Sequence, residues 1–335
     1  MRGSKAYLLS SFIVAACSAG GSPNPYGRSA DSDPTSSTIS PASPAPAPAP
    51  SQIDLTDGTV DAPSDGSAVN LGTETICDGK DDNQNGIIDD VDKGQDGLCD
   101  CLNIGFLGDI ASDAGSNTTA FQTWLESRSS VPVTRLDARA ELTTAALAPL
   151  QVLIVGNMTA RISGNSPAYS AAELGALQTW VENRGAGMMT LAGFTGTESH
   201  MLPTAQLLAP FGLGYDYQGR GAGVLGEGAP PMVIAGIVAM HPTVENVKAL
   251  GVYYGYPVIG DGQVIIRERS FDLAMAKELG KGRVFTFGDE WITQDKLWQP
   301  GALPTNLDVT QFWLNVISWL SPANECKVSI PKIIR

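Results

Sequence analysis

The chain has 335 residues, a formal net charge of -14 and a sequence pI near 4.5. An acidic balance of that size disfavours nucleic acid and anionic membrane surfaces as partners, because both repel it. The length accommodates one sizeable α/β domain together with flanking segments of other character.

The chain opens on a targeting signal. Arg2 and Lys5 precede an apolar run from Ala6 to Ala16, which ends in Val14-Ala15-Ala16-Cys17. A positive start, a short apolar stretch and small residues before a cysteine make a secretory signal, residues 1–16, with a lipobox-like end. The Cys17 thiol is then the site of diacylglyceryl attachment, a lipid anchor to the membrane. An ordinary signal peptide cleaved near Ala16 is the alternative; a membrane span is not, since the run is too short for a hydrocarbon core of roughly 30 Å. Resemblance to bacterial lipoproteins implies, through Ser18 beside the lipidated cysteine, an outer-membrane location on its periplasmic or cell-surface face.

Residues 17–73 are rich in Ser, Pro, Ala, Gly and Asp, with Pro and Ala alternating from Pro44 to Pro50. Such a segment buries too little apolar surface to offset its ordering entropy, and alternating prolines favour an extended polyproline conformation. It reads as a disordered tether that holds the following domain off the membrane.

Residues 74–101 carry a ladder of oxygen side chains. With Asp81 as position 1, Asp81, Asn83, Asn85, Asp89 and Asp92 fall at positions 1, 3, 5, 9 and 12, Gly86 stands at the sharp turn, and the Ile87 carbonyl takes position 7. A hard cation wants six to eight oxygens, and alternate residues of a tight loop supply them, so the spacing predicts calcium. A second, degenerate frame restarts at Asp92 with Asp96, Gly97 and Asp100; its position 3 is Gly94, which offers no side-chain oxygen, and its position 12 is Asn103. Asp, Asn and Gly are also turn formers, so an acidic turn-rich spacer is the competing reading.

The order Cys77-Asp78-Gly79, Asp81, Asn83, Asn85-Gly86, Asp89-Asp90 resembles a short metal-binding motif repeated in secreted and surface proteins of myxobacteria and their relatives. Members of that family usually have a second cysteine inside the loop, where this chain has Gln84. The copper associated with some of those relatives does not carry over to a set of oxygen donors without a nearby His or Met.

With Cys17 lipidated, Cys77, Cys99, Cys101 and Cys326 form an even set in an oxidising compartment, and three pairings of two disulfides are open. Cys77 with Cys99 and Cys101 with Cys326 is the favoured one: the first would clamp the loops, and the second would tie the start of the next domain to its far end.

Residues 102–322 alternate short apolar runs with amphipathic stretches, which predicts an α/β domain with a mostly parallel sheet and helices on both faces. Strands are predicted at 102–107, 131–136, 151–156, 187–192, 263–267 and 283–287. One helix follows Thr118. The clearest starts at Ser170, where Ser170 and Glu173 make a capping box, and Gly185 stops it. A last helix runs from about Val309 to Leu320, before a tail at 323–335.

The step from Trp180 through Gly187 into the apolar strand ending at Ala192 and the turn Gly193-Phe194 resembles the class I glutamine-amidotransferase-like group of flavodoxin-like folds. In catalytic members of that group a nucleophilic cysteine sits at this turn, with a His and an acidic partner near the end of the fold. Here the turn has no cysteine and Cys326 lies past the last helix, so amidotransferase chemistry is not implied.

Open α/β sheets bind ligands at the carboxyl ends of their strands. The segments there include Gly108-Asp109, Asn157, Gly193 to His200, and Gly288-Asp289-Glu290-Trp291. Asp289 and Glu290 are the polar candidates, with Trp291 offering an aromatic face for a glycan or a protein ligand. Ser199, His200 and His241 could in principle complete a nucleophile and base, but Ser199 and His200 are adjacent, and His241 before Pro242 reads as a turn residue. Tyr253, Tyr254, Tyr256 and Trp298 stand in loop-like segments that could bind sugars or simply pack. The glycine-rich stretch 219–231 lacks the Lys and Ser/Thr of a phosphate loop. The sequence thus predicts a non-catalytic, calcium-binding envelope lipoprotein that binds or scaffolds; a polysaccharide hydrolase acting through Asp289 and Glu290 is the alternative.

Overall fold

The computed structural model describes residues 74–92, 99–108, 118–161, 168–192, 198–216, 232–234, 236–252, 255–268, 270–298 and 308–327. All of them belong to one compact unit, Ser67–Arg335. The signal segment, Cys17 and the tether lie outside the described residues.

In chain order the elements are β1 (Ile104–Leu107), α1 (Thr119–Glu126), β2 (Thr134–Leu136), α2 (Thr144–Leu147), β3 (Val152–Val155), α3 (Ala171–Glu182), β4 (Gly187–Leu191) and α4 (Leu202–Leu208). There follow β5 (Leu213–Tyr215), β6 (Met232–Ile234), β7 (Leu250–Val252), β8 (Val258–Gly260), β9 (Gln263–Glu268), β10 (Phe271–Leu279), β11 (Gly282–Phe287), α5 (Asp295–Trp298) and α6 (Val309–Leu320). A seven-stranded sheet has the order β2-β1-β3-β4-β11-β10-β9. Its first five strands are parallel and β10 and β9 extend it antiparallel. Counting β11 as the fifth parallel strand, the order is 2-1-3-4-5, the flavodoxin-like arrangement.

The apolar strands are buried on both sides, as a parallel sheet requires. Ile104, Phe106, Val152, Ile154, Met189, Phe285 and Phe287 join one core with Phe121 of α1 and Phe312, Trp313 and Ile317 of α6. The alternate residues Leu107, Leu153, Val155, Met188 and Val284 join a second core with Leu147 of α2, Leu177 and Val181 of α3 and Leu207 of α4. Helices therefore cover both faces. Burial of each large apolar side chain contributes about 1.5–3 kcal/mol, which makes these two layers the main source of stability.

The predicted helix at Ser170 forms with both halves of its capping box: the Glu173 amide donates to Ser170 Oγ, and the Ser170 amide donates to Glu173 Oε2 at 2.8 Å. Each of the six predicted strands overlaps an observed one, and the helices after Thr118 and from Val309 are present. The sequence reading lacked β10, the longest strand, and the two small antiparallel pairs β5–β8 and β6–β7. Those pairs, with α4, β9 and β10, occupy the long excursion between β4 and β11.

Candidate functional site

The acidic segment 74–92 folds through side chain to backbone bonds rather than through regular elements. Asp81 Oδ1 accepts from the Asn85 amide and Asp81 Oδ2 from the Gly86 amide, while Asn83 Oδ1 accepts from Asn85 and Asn85 Oδ1 from Ile87. Gly86 sits at φ +90°, in the left-handed region that the predicted sharp turn demands. Asp89 also has a positive φ, 57°, and its carboxylate accepts from the Asp78 and Gly79 amides. Asp90 gathers the side-chain amides of Asn83 and Asn85. Glu74 Oε1 accepts from the Asp82 and Asn83 amides, and Glu74 Oε2 is buried without a hydrogen-bond partner.

This segment is stitched to the end of the α/β domain. The Ile88 amide donates to the Asn324 carbonyl and the Cys326 amide to the Ile88 carbonyl, with Ile88 and Glu325 paired as a parallel bridge. Two disulfides close the arrangement, and their pairing corrects the favoured one: Cys77 joins Cys101 (Cα atoms 5.6 Å apart) and Cys99 joins Cys326 (5.8 Å). The chain turns at Asp100 and Cys101, so the two neighbouring thiols point to different partners. Around Cys99 the backbone is fixed by the bond from the Asp100 amide to the Val91 carbonyl and by the Ser129 hydroxyl, which donates to the Cys99 carbonyl at 2.6 Å. A cavity of about 380 Å³ lies at this seam, lined by Asp90, Asp92, Cys99, Glu325, Cys326 and Lys327 among others.

The oxygen chemistry of Asp81, Asn83, Asn85 and Asp90, and the orphaned oxygen of Glu74, suit a hard cation. Among the described residues no three His, Cys, Asp or Glu side chains converge as a group able to hold a metal ion; amide and carbonyl oxygens would have to complete a shell. Of the predicted ligands, Asp81, Asn83, Asn85 and Ile87 share the loop and Asp89 turns to the Cys77 side. Asp92 and Asp100 stand at the seam, and Asp96 lies outside the described residues. Two residues the sequence reading did not assign, Glu74 and Asp90, stand at the centre of the loop's hydrogen bonding. Both fall off the calcium frame; the only available signal was their placement in the resembling segment.

At the carboxyl end of β11, Asp289 is 0% and Glu290 2% exposed. The reason is the backbone around them. Gly288 donates to the Leu273 carbonyl, Tyr256 donates to the Gly288 carbonyl, and Gly255 bridges Asp289. A Cβ at Gly288 would overlap the Tyr256 carbonyl oxygen, so only glycine admits this approach. The Thr293 amide and hydroxyl both donate to the Glu290 carbonyl, and Asp295 Oδ1 accepts from the Ala120 amide at 2.7 Å, which fixes the segment against the start of α1. On the opposite sheet face, the Tyr215 hydroxyl bonds Thr190 Oγ1 at 2.7 Å and donates to the Phe287 carbonyl. Burial pushes the Tyr215 phenol up; the Thr190 bond opposes this and the Glu290 charge adds to it, so Tyr215 is neutral in the folded protein.

Trp291 begins the turn after this pair, with its side chain outside the described residues, as are Asp109, residues 193–197, the Ser199 side chain, 219–231, Tyr253 and Tyr254. Tyr256 is buried, and Trp298 donates to the Ile292 carbonyl and packs on Phe121 and Trp124. His241 Nδ1 accepts from the Thr243 amide, the local turn role read from its sequence.

Comparison with protein-family models and with curated proteins finds no match. Among solved structures, the chain is similar to the mmIFT52 N-terminal domain, at 15% identity over 65% of this chain and 97% of that one, with a TM-score of 0.48. Cytoplasmic protein STM1381 from Salmonella typhimurium LT2 is 16% identical over 66% of this chain and 100% of its own, with a TM-score of 0.44. A putative ThuA-like protein from Bacteroides uniformis ATCC 8492 is 10% identical over 65% and 91%, with a TM-score of 0.37. Likenesses this distant carry no argument about what the chain does.

Proposed function

We propose that this chain is an outer-membrane lipoprotein, anchored through Cys17 and a tether, in which a calcium-bound loop is fixed to a non-catalytic amidotransferase-like α/β domain that binds or scaffolds a glycan or protein ligand. One observation carries the calcium part. Residues 74–92 hold seven carboxylates against one lysine, and the Cys77–Cys101 disulfide and the Ile88 ladder tie the segment to residues 101 and 324–326. Like charges within one tied segment repel, and a divalent cation coordinated by Asp81, Asn83, Asn85 and the Ile87 carbonyl relieves that repulsion. The degenerate frame of Asp92, Asp96 and Asp100 would serve as a weaker site or as support.

The binding reading is preferred to a hydrolase because glycoside hydrolysis needs two carboxylates in contact with substrate. Asp289 and Glu290 are enclosed by backbone from β10 and residues 255–256. A ligand would instead meet the rim near Trp291.

Calorimetric titration of the full chain with calcium chloride, disulfides intact, tests the reading. Saturable binding that raises the melting temperature and is lost in Asp81→Ala is the expected outcome; absence of any binding heat would sink it. Turnover of a polysaccharide that disappears in Asp289→Ala and Glu290→Ala variants with unchanged melting would install the hydrolase instead.

A further inference from the structure

Resting on the calcium reading above, we infer that the cation is held from beneath the loop by Glu74 and Asp90, with the rotated amides of Asn83 and Asn85 beside them, and that Asp89 is a clamp rather than a ligand. Glu74 is 4% exposed, and its Oε2 has no hydrogen-bond partner. Its other oxygen accepts from the Asp82 and Asn83 amides, which places the carboxylate within the loop. A buried carboxylate with one oxygen unsatisfied is costly unless a positive charge meets it, and the lysine of this segment, Lys80, is paired outward with Asp78.

Asp90 stands beside Glu74: its Oδ1 accepts from the Glu74 amide at 3.4 Å and from Asn83 Nδ2 at 3.1 Å, and its Oδ2 accepts from Asn85 Nδ2 at 2.5 Å. Two side-chain amides thus point their N–H groups at the Asp90 carboxylate, which also accepts from the Glu74 backbone amide, while the Glu74 carboxylate holds the Asn83 amide on the same turn. Rotating each amide by a half turn exchanges Nδ2 for Oδ1. The same four side chains then present an all-oxygen pocket suited to a hard divalent cation. The rotation gives up the bonds that Asn83 Oδ1 accepts from the Asn85 amide and that Asn85 Oδ1 accepts from the Ile87 amide. The Asn85 amide keeps Asp81 Oδ1 as acceptor, and Ile87 lies at the surface where water replaces the loss.

Asp89 occupies a different position. Both its oxygens face the Asp78 and Gly79 amides, and its left-handed backbone turns the side chain toward Cys77. It closes the turn that carries the Cys77–Cys101 disulfide.

Calcium chloride titrations of the full chain and of Glu74→Gln, Asp90→Asn and Asp89→Asn, each with a melt in chelator, test this assignment. Glu74→Gln keeps an acceptor for the Asp82 and Asn83 amides, and Asp89→Asn keeps one for Asp78 and Gly79. Loss of about tenfold or more in affinity is expected for Glu74→Gln and Asp90→Asn, and a change within about threefold for Asp89→Asn, since affinity in such sites follows the charge count of the ligands. In chelator, Glu74→Gln should melt no lower than the parent. A parent that binds while Glu74→Gln binds equally well overturns the assignment and leaves the calcium reading standing; so does an Asp89→Asn loss as large as that of Glu74→Gln. A parent that does not bind overturns both. Should Glu74→Gln fail to fold, Asp90→Asn decides alone: undiminished affinity overturns the assignment.

Discussion

In the α/β core, Phe106, Phe285 and Phe287 of the sheet and Phe312 and Trp313 of α6 are fully buried against one another's layers, whereas in residues 74–92 the only buried apolar side chain is Val91. The first region excludes water over a large apolar area. The second holds its shape through Asx-type bonds, a two-bond ladder to residues 324–326 and two disulfides. The contrast separates two ways of keeping a chain folded. Hydrophobic burial is non-directional and cooperative, so the α/β region should unfold as a unit. Polar turns at the surface compete with water and each contributes little net free energy, so a loop built from them depends on covalent closure and on counter-charge.

That contrast can be broken at its stronger side first. Phe285 is fully buried on β11 and lies against Phe312 and Trp319, with ring centroids 5.8 Å and 6.4 Å away. Phe285→Ala should cost about 3–5 kcal/mol through lost transfer energy and the cavity left behind. Urea unfolding followed by far-UV circular dichroism should show a single transition at lower denaturant. An unchanged midpoint would mean that the aromatic layer is not what secures the sheet.

The weaker region should respond differently. Cys77 and Cys101 close a loop with a sequence separation of 24, for which unfolded-chain entropy accounts for about 3 kcal/mol. Replacing both by Ser should act within the acidic loop, because the sheet does not depend on that closure. Limited proteolysis should then cut between residues 74 and 92, while the melt of the sheet moves less than in Phe285→Ala. Equal shifts in both readouts would make the two regions one cooperative unit.

How much of this was legible in the sequence depends on whether the signal was local. The capping box of Ser170 and Glu173 and the apolar runs of β1, β3 and β4 are local patterns, and the structure keeps them. β10 was not legible. Its Ala274, Met275, Ala276, Lys277, Glu278 and Leu279 are helix formers, and they adopt a strand because β9 and β11 supply hydrogen bonds on both sides. The place of Asp289 and Glu290 after a strand was legible, but their enclosure was not, since it depends on residues 255–256 and 273 arriving from elsewhere. Cysteine pairing was hidden for a similar reason: the turn at Asp100 decides it, and an extended reading of Cys99 to Cys101 misses that turn. Glu74 and Asp90 fall outside a frame counted from Asp81, and only the folded loop brings them to Asn83.

The smallest effect concerns a polar group set into the apolar layer itself. His241 lies edge-on to Trp319 of α6 at 4.9 Å, and its Nδ1 accepts from the Thr243 amide at 3.3 Å and bonds Thr243 Oγ1 at 2.8 Å. Partial burial lowers its pKa from the usual 6.5; the nearby Glu278 charge opposes this and Arg283 reinforces it. The geometry agrees, because a proton on Nδ1 would displace the amide bond that closes the turn at Pro242. As pH falls through about 6.5 the unfolded chain takes up a proton before the folded one does, so His241 favours folding fully above that value and progressively less below it. His241→Asn retains an acceptor for Thr243 and does not titrate. Melting curves at pH 7.5 and 5.5 should show a smaller drop for the variant than for the parent, with the two coinciding most closely at the higher pH. Parallel drops would place the acid sensitivity of this protein in its carboxylates alone, and so on the polar side of the comparison.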